Sequence, residues 1–173
     1  MFEIDIQVND ERWMRYAIQL AEQGQLLDEV PVGAVIVRDD KMIGEGFNQP
    51  ISRHDPTAHA EIVALRMAAL NEQNYRLIGA TLYVTLEPCT MCVGALVHAR
   101  IARLVYGTTE PKAGAVQSKS RLLESEYFNH RLQYSGGICA ADCQQQLSSF
   151  FQRRREEVKQ RKTIPAQTRN DKK

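Results

Sequence analysis

Two short stretches carry residue types able to do chemistry: His59-Ala60-Glu61 and Pro88-Cys89-Thr90-Met91-Cys92. Neither is specific by itself, because His-x-Glu recurs by chance and Cys-x-x-Cys serves redox, structural zinc or nothing. Together they supply one imidazole, two thiolates and one carboxylate. A catalytic zinc ion takes three protein ligands and keeps one position open for water, so His59, Cys89 and Cys92 are the expected ligands. Spacing assigns Glu61 elsewhere: residues two apart on a helix do not face one another, whereas Cys89 and Cys92, three apart, share a face. A carboxylate near a helix start can still reach a metal-bound water. Thiolates at the start of the second helix gain from the positive end of its dipole.

The elements that must position these groups follow from periodicity. Trp13, Ala17, Leu20 and Ala21 make a helical stripe within residues 10–26, with Asn9 or Asp10 as its cap. The runs 32–38 and 42–47, joined by Arg38-Asp39-Asp40-Lys41, read as a hairpin. A polar loop over 49–56 leads to a helix from Thr57, its expected cap, to about Asn71. A strand over 81–86, a helix over 89–99 and a strand over 103–107 follow. A loop over 108–120, a short helix over 121–130, a short strand over 131–134 and a long helix over 139–159 complete the chain. Alternating strands and helices imply an α/β sheet with helices packed on it, and such sheets hold ligands beyond the carboxyl ends of their strands.

Length and composition bound the rest. The 173 residues are 43% hydrophobic and 25% charged, which fits one globular domain. The net charge of +1 is unevenly spread. Residues 1–150 hold 13 Lys/Arg and 18 Asp/Glu, a balance of −5, while residues 151–173 hold 9 and 3, a balance of +6. A basic end suits a polyanion and equally suits a solvated helix. The expected division is a domain over 1–158 and a basic, disordered tail over 159–173. No apolar run approaches the ~20 residues that span a bilayer, the amino end lacks the apolar region of a signal peptide, and four cysteines fit a reducing compartment. The expectation is a cytoplasmic protein with no membrane partner.

The two motifs together form the H-x-E…P-C-x-x-C pattern of the zinc deaminases. Further stretches extend the match: Val30-Pro31-Val32-Gly33-Ala34, Gly44-Glu45-Gly46-Phe47-Asn48, His54-Asp55-Pro56-Thr57-Ala58, Thr85-Leu86-Glu87, Asn129-His130-Arg131 and Phe150-Phe151. Over residues 8–158 the chain resembles the bacterial tRNA-specific adenosine deaminases, within the zinc-dependent cytidine/deoxycytidylate deaminase family. The resemblance implies a three-layer cytidine-deaminase-like α/β fold, with a mixed central sheet of about five strands and helices on both faces. It implies one Zn2+ per subunit, Glu61 as proton shuttle, and hydrolysis of the wobble adenosine of a tRNA anticodon to inosine. It further implies a homodimer, an arginine tRNA as partner, and substrate contacts from Asn48, Glu110, Phe151 and Arg154. Position 110 departs from the family, which carries Asp in this loop beside the substrate sugar; Glu keeps the charge on a side chain one methylene longer.

Other readings use the same residues. A deaminase of a free base or nucleoside (cytosine, guanine or cytidine) shares the zinc motif, though it has no evident need of a basic carboxyl end. A non-enzymatic zinc module gripping nucleic acid leaves Glu61 without purpose. Cys139 and Cys143, four apart on the last helix, would complete a four-thiolate structural site with Cys89 and Cys92, but that leaves His59 and Glu61 unexplained; they read as small buried hydrophobes. His98 and His130 read as structural. Arg153, Arg154 and Arg155 cannot share one helical face, and of Phe150 and Phe151 one suits the core and one an RNA base.

Overall fold

A computed structural model describes residues 2–163. The elements are α1 (Phe2–Leu26), β1 (Gly33–Arg38), β2 (Lys41–Phe47), α2 (Ala60–Asn71), β3 (Thr81–Leu86), α3 (Thr90–His98), β4 (Arg103–Thr108), a 3-10 turn (Leu122–Glu124), β5 (Gln133–Gly136) and α4 (Ala140–Thr163). The five strands form one mixed sheet in the order β2-β1-β3-β4-β5. β1 runs antiparallel to β2 and β3, whereas β3, β4 and β5 are parallel.

The alternation of strand side chains divides the core into two layers. Ala34, Ile36, Leu82, Val84, Leu104 and Tyr106 face α2 and α3. Val35, Val37, Tyr83 and Val105 face α1 and the start of α4, where Cys143 is buried. Helices therefore cover both faces, as the resemblance implied. The connection between β1 and β2 is a two-residue turn in which Asp39 and Asp40 both have positive φ, the conformation that matches the twist of a tight hairpin.

Several local expectations are corrected. α1 starts at Phe2, not near residue 10. Asp10 lies inside the helix and caps nothing: its buried carboxylate accepts bonds from both Arg103 Nη atoms at 2.7 Å and from the Tyr83 hydroxyl at 3.0 Å. A tertiary ion pair has taken a residue whose type suggested a cap. Thr57 likewise caps nothing, because its hydroxyl and amide both turn to Asp55, and the N-cap of α2 is His59. The helix expected over 121–130 is only the turn at 122–124, and the last strand lies over 133–136. α4 passes through the boundary expected after residue 158; the rest of the expected tail, residues 164–173, falls outside the described residues.

At one end of the sheet the carboxyl ends of β2, β3 and β4 meet the amino end of β1. α2 follows β2 through a loop and α3 follows β3 directly, so both helices begin at this edge.

Candidate active site

His59 is the N-cap of α2 and Cys89 the N-cap of α3, both with extended backbone. Cys92 sits three residues into α3 and is buried. His59 Nδ1, Cys89 Sγ and Cys92 Sγ form a triangle with all three sides 3.7 Å. Tetrahedral zinc, with bonds of about 2.3 Å to sulfur and 2.0–2.1 Å to nitrogen, places two sulfurs about 3.8 Å apart and sulfur and nitrogen about 3.6 Å apart. The donor set and its spacing fit that ion. Among the described residues this is the one cluster of three such ligands. Cys139 and Cys143 stand apart from it, and Cys143 packs against Gly107 of β4. The four-thiolate site is therefore not assembled.

The three groups, in mutual contact, shift one another. The Cys89 thiol is lowered to about 4, first by the bond from Cys92 and then by His59. Cys92 is raised by its bond to Cys89, by burial and by Glu61. His59 is raised by its bond to Cys89, against burial.

Glu61 is 4% exposed, and burial pushes its carboxyl up from the usual range. A carboxyl whose protonated form burial favours is suited to proton transfer. It lines a cavity of about 310 Å3 with His59, Cys89, Asn48, Glu110 and Phe151, at the small end for ligand sites. Val30, Val32 and Leu86 supply apolar wall. Asn48 is buried, and its Oδ1 accepts the Ala60 amide at 2.9 Å, which leaves its amide nitrogen as the free donor.

A second hollow of about 450 Å3 adjoins the first, sharing Leu86, Glu110 and Phe151 and adding Lys112, Gln144 and Arg155. Phe150 is buried while Phe151 is 45% exposed, so the pair divides between core and cavity rim. Arg154 does not reach either hollow; it pairs with Glu157 at 2.9 Å. Arg153 pairs with Asp28 at 3.1 Å and lies over the Phe150 ring. Arg155 is the member of the run that lines the groove.

Two buried carboxylates, neither assigned a role from sequence, shape the loops around the cavity. Glu29 accepts the Ser52 amide at 2.7 Å and the Ile51 amide at 3.3 Å, fixing the loop that carries Pro50. Glu87 accepts amides from residues 110 and 116–118. Its position just before Pro88-Cys89 was a usable signal; nothing local marks Glu29.

A mixed α/β sheet whose edge carries one imidazole, two thiols and a buried carboxyl, with zinc-length spacing, is the architecture of a zinc-dependent hydrolase. Residues 7–108 match the family described as the cytidine and deoxycytidylate deaminase zinc-binding region. The tRNA-specific adenosine deaminase of Haemophilus influenzae is 54% identical over 156 residues, covering 90% of each chain. That of Buchnera aphidicola subsp. Baizongia pistaciae is 45% identical, over 85% of this chain and 91% of its own. A solved chain from a study of A-to-I editing by tRNA:A34 deaminases at the wobble position of transfer RNA superposes with a TM-score of 0.77 at 42% identity, covering 79% of this chain and 99% of that one. The chain belongs to the cytidine and deoxycytidylate deaminase family, and it is a zinc-binding deaminase.

Proposed function

We propose that this chain hydrolyses the wobble adenosine of a tRNA anticodon to inosine, releasing ammonia. The reaction rests on one observation: a 3.7 Å triangle of zinc ligands sharing a single small cavity with the buried, proton-favouring Glu61. The substrate rests on relatives of that specificity at 54% and 45% identity over most of the chain.

His59, Cys89 and Cys92 would hold the zinc, which would supply Lewis acidity toward the attacking water. Glu61 takes a proton from that water, whose oxygen adds to C6 of adenine. Glu61 returns that proton to N1 and carries the water's second proton to the amino group, which leaves as ammonia when the C6–N6 bond breaks and C6 becomes the carbonyl carbon of inosine. Asn48 offers its amide nitrogen to the nucleoside. Phe151 at the rim stacks against a base, and Glu110 faces the ribose. The apolar wall of Val30, Val32 and Leu86 excludes bulk water. The cavity takes one extruded base, and an unpaired anticodon loop yields that base at lower cost than a duplex.

The working form is a homodimer in the cytoplasm, acting on an arginine tRNA. The four unpaired cysteines suit that compartment, and no helix among the described residues is long and apolar enough to cross a membrane. Exposed Met67, Leu70, Tyr75 and Ile78 offer apolar surface to a second copy. Solution mass measurement checks the dimer.

The deciding assay compares ammonia release from an anticodon stem-loop with adenosine at the wobble position, free adenosine and free cytidine. Turnover confined to the stem-loop is expected. Comparable turnover on a free nucleoside would overturn the tRNA reading. Glu61→Ala should abolish turnover while zinc stays stoichiometric; loss of the metal would make Glu61 a ligand.

A further inference from the structure

The β4–β5 connection, residues 109–132, carries a single 3-10 turn, yet Glu110 and Ala113 within it wall the catalytic cavity. Something must hold this segment still. Glu87 is 2% exposed, and its Oε2 accepts the Glu110 amide at 3.0 Å. Its Oε1 accepts the amides of Val116, Gln117 and Ser118 at 3.1, 2.8 and 2.9 Å, and the Ser118 hydroxyl bonds to Oε2. Further backbone bonds join the same two stretches: Glu87 donates to Thr108, and Ala115 donates to Pro88. Cys89 and Gly114 pair as an isolated bridge. Gly114 has to be glycine for this wrapping, since a Cβ there would come within 2.5 Å of the Glu87 carboxylate.

We infer that Glu87 is the positioning residue for the substrate-facing wall: the segment 110–118 is folded around its carboxylate, which sets Glu110 and Ala113 at a fixed place beside the ligand Cys89. All five partners of the carboxylate are donors. A glutamine of the same shape would turn its NH2 group toward donors and leave some of them unmet. Charge is therefore required at a position that borders the cavity but spends both carboxylate oxygens on the wall segment. The inference rests on the proposed RNA substrate only for its kinetic part.

The experiment uses full-length, zinc-loaded Glu87→Gln and Glu87→Asp, read by amide exchange, zinc content and steady-state kinetics on the anticodon stem-loop. For Glu87→Gln, exchange at Glu110, Val116, Gln117 and Ser118 should accelerate at least about tenfold with zinc stoichiometric, and kcat/KM should fall about 10- to 100-fold, mainly through KM. Glu87→Asp keeps two acceptor oxygens on a shorter arm and should fall between, which preserves the test where the glutamine variant does not fold. Unchanged exchange overturns the anchor. Faster exchange with native kinetics overturns the positioning role, as does loss of zinc or a fall in kcat at native KM. A wild-type chain inactive on the stem-loop overturns the substrate reading instead, and leaves the exchange result to decide the anchor.

Discussion

Gly46→Ala tests how closely the strand beneath α2 controls the chemistry. The contact face of α2 is a ridge of Ala60, Ala64 and Ala68, all fully buried, lying directly on Gly44 and Gly46 of β2. A Cβ on Gly46 would sit 2.7 Å from Val63 Cβ and 2.8 Å from both Ala60 O and Ala64 N. Since atoms at ease stand about 3.5 Å or more apart, the first turn of α2 would have to recede by roughly 0.6–1 Å. Two of the three close atoms belong to the helix backbone, so no rotamer change relieves the clash. The displaced turn is the one that carries His59 and Glu61, and catalytic groups tolerate only about 0.5 Å. Overpacking should cost about 1–3 kcal/mol of stability, and a misplacement of this size about 10²-fold in kcat/KM, or about 2.7 kcal/mol of transition-state stabilisation. Stem-loop kinetics, zinc analysis and thermal unfolding measure the three effects. Gly94→Ala on α3 is the control: its new methyl meets nothing within 4 Å, and alanine favours a helix. If Gly46→Ala kept native turnover and melting temperature, the close approach would not be what seats the site.

Three further outcomes are expected. Asp10→Ala should lose about 3–5 kcal/mol in urea unfolding, because the half-buried Arg103 guanidinium and the Tyr83 hydroxyl are left without their acceptor; a change under about 1 kcal/mol would mean that the pair contributes nothing net. Stability should fall as pH rises from about 9 toward 12: burial pushes the Cys143 thiol and the Tyr106 hydroxyl up to about 12, so the folded chain keeps protons that the unfolded chain gives up, and flat stability from pH 8 to 10.5 would contradict it. Arg155→Gln should lessen the salt slope of RNA binding by roughly 1, whereas Arg154→Gln, whose side chain is held by Glu157, should leave it nearly unchanged; equal effects would place both on the RNA.

What was legible in the sequence was whatever depends on residue type and short spacing. The ligand set could be read from Cys-x-x-Cys plus a histidine because zinc fixes both donor chemistry and ligand number, and an α/β sheet from strands alternating with helices, while its mixed character came from the family resemblance. Roles set by tertiary contacts were not legible. Asp10 and Thr57 have side chains that cap helices, but each found a partner elsewhere: Arg103, 93 residues away, and Asp55. The three consecutive arginines point in three directions that only the placement of α4 decides. Glu87 and Glu29 were assigned no role from sequence, because nothing in a sequence reports that a carboxylate will be surrounded by backbone amides.

Both ligand-bearing helices begin at a ligand, which has a cost. An N-cap side chain normally accepts one of the first free N–H groups of its helix, a contribution of about 0.5–2 kcal/mol; neither His59 nor Cys89 makes such a bond. For α2 the loss is offset from outside, where Asn48 Oδ1 accepts the Ala60 amide. Asn48 therefore has two duties, capping with its oxygen and facing the cavity with its nitrogen, and Asn48→Ala would confuse them. Asn48→Asp separates them: a carboxylate keeps the acceptor at the positive end of the helix and removes the donor. Asp should retain stability within about 0.5 kcal/mol while raising KM for the stem-loop about tenfold or more. Ala should lose about 1 kcal/mol of stability as well. If Asp destabilised the fold as much as Ala, the oxygen would not be the cap; if Asp left KM unchanged, the nitrogen would not meet the substrate.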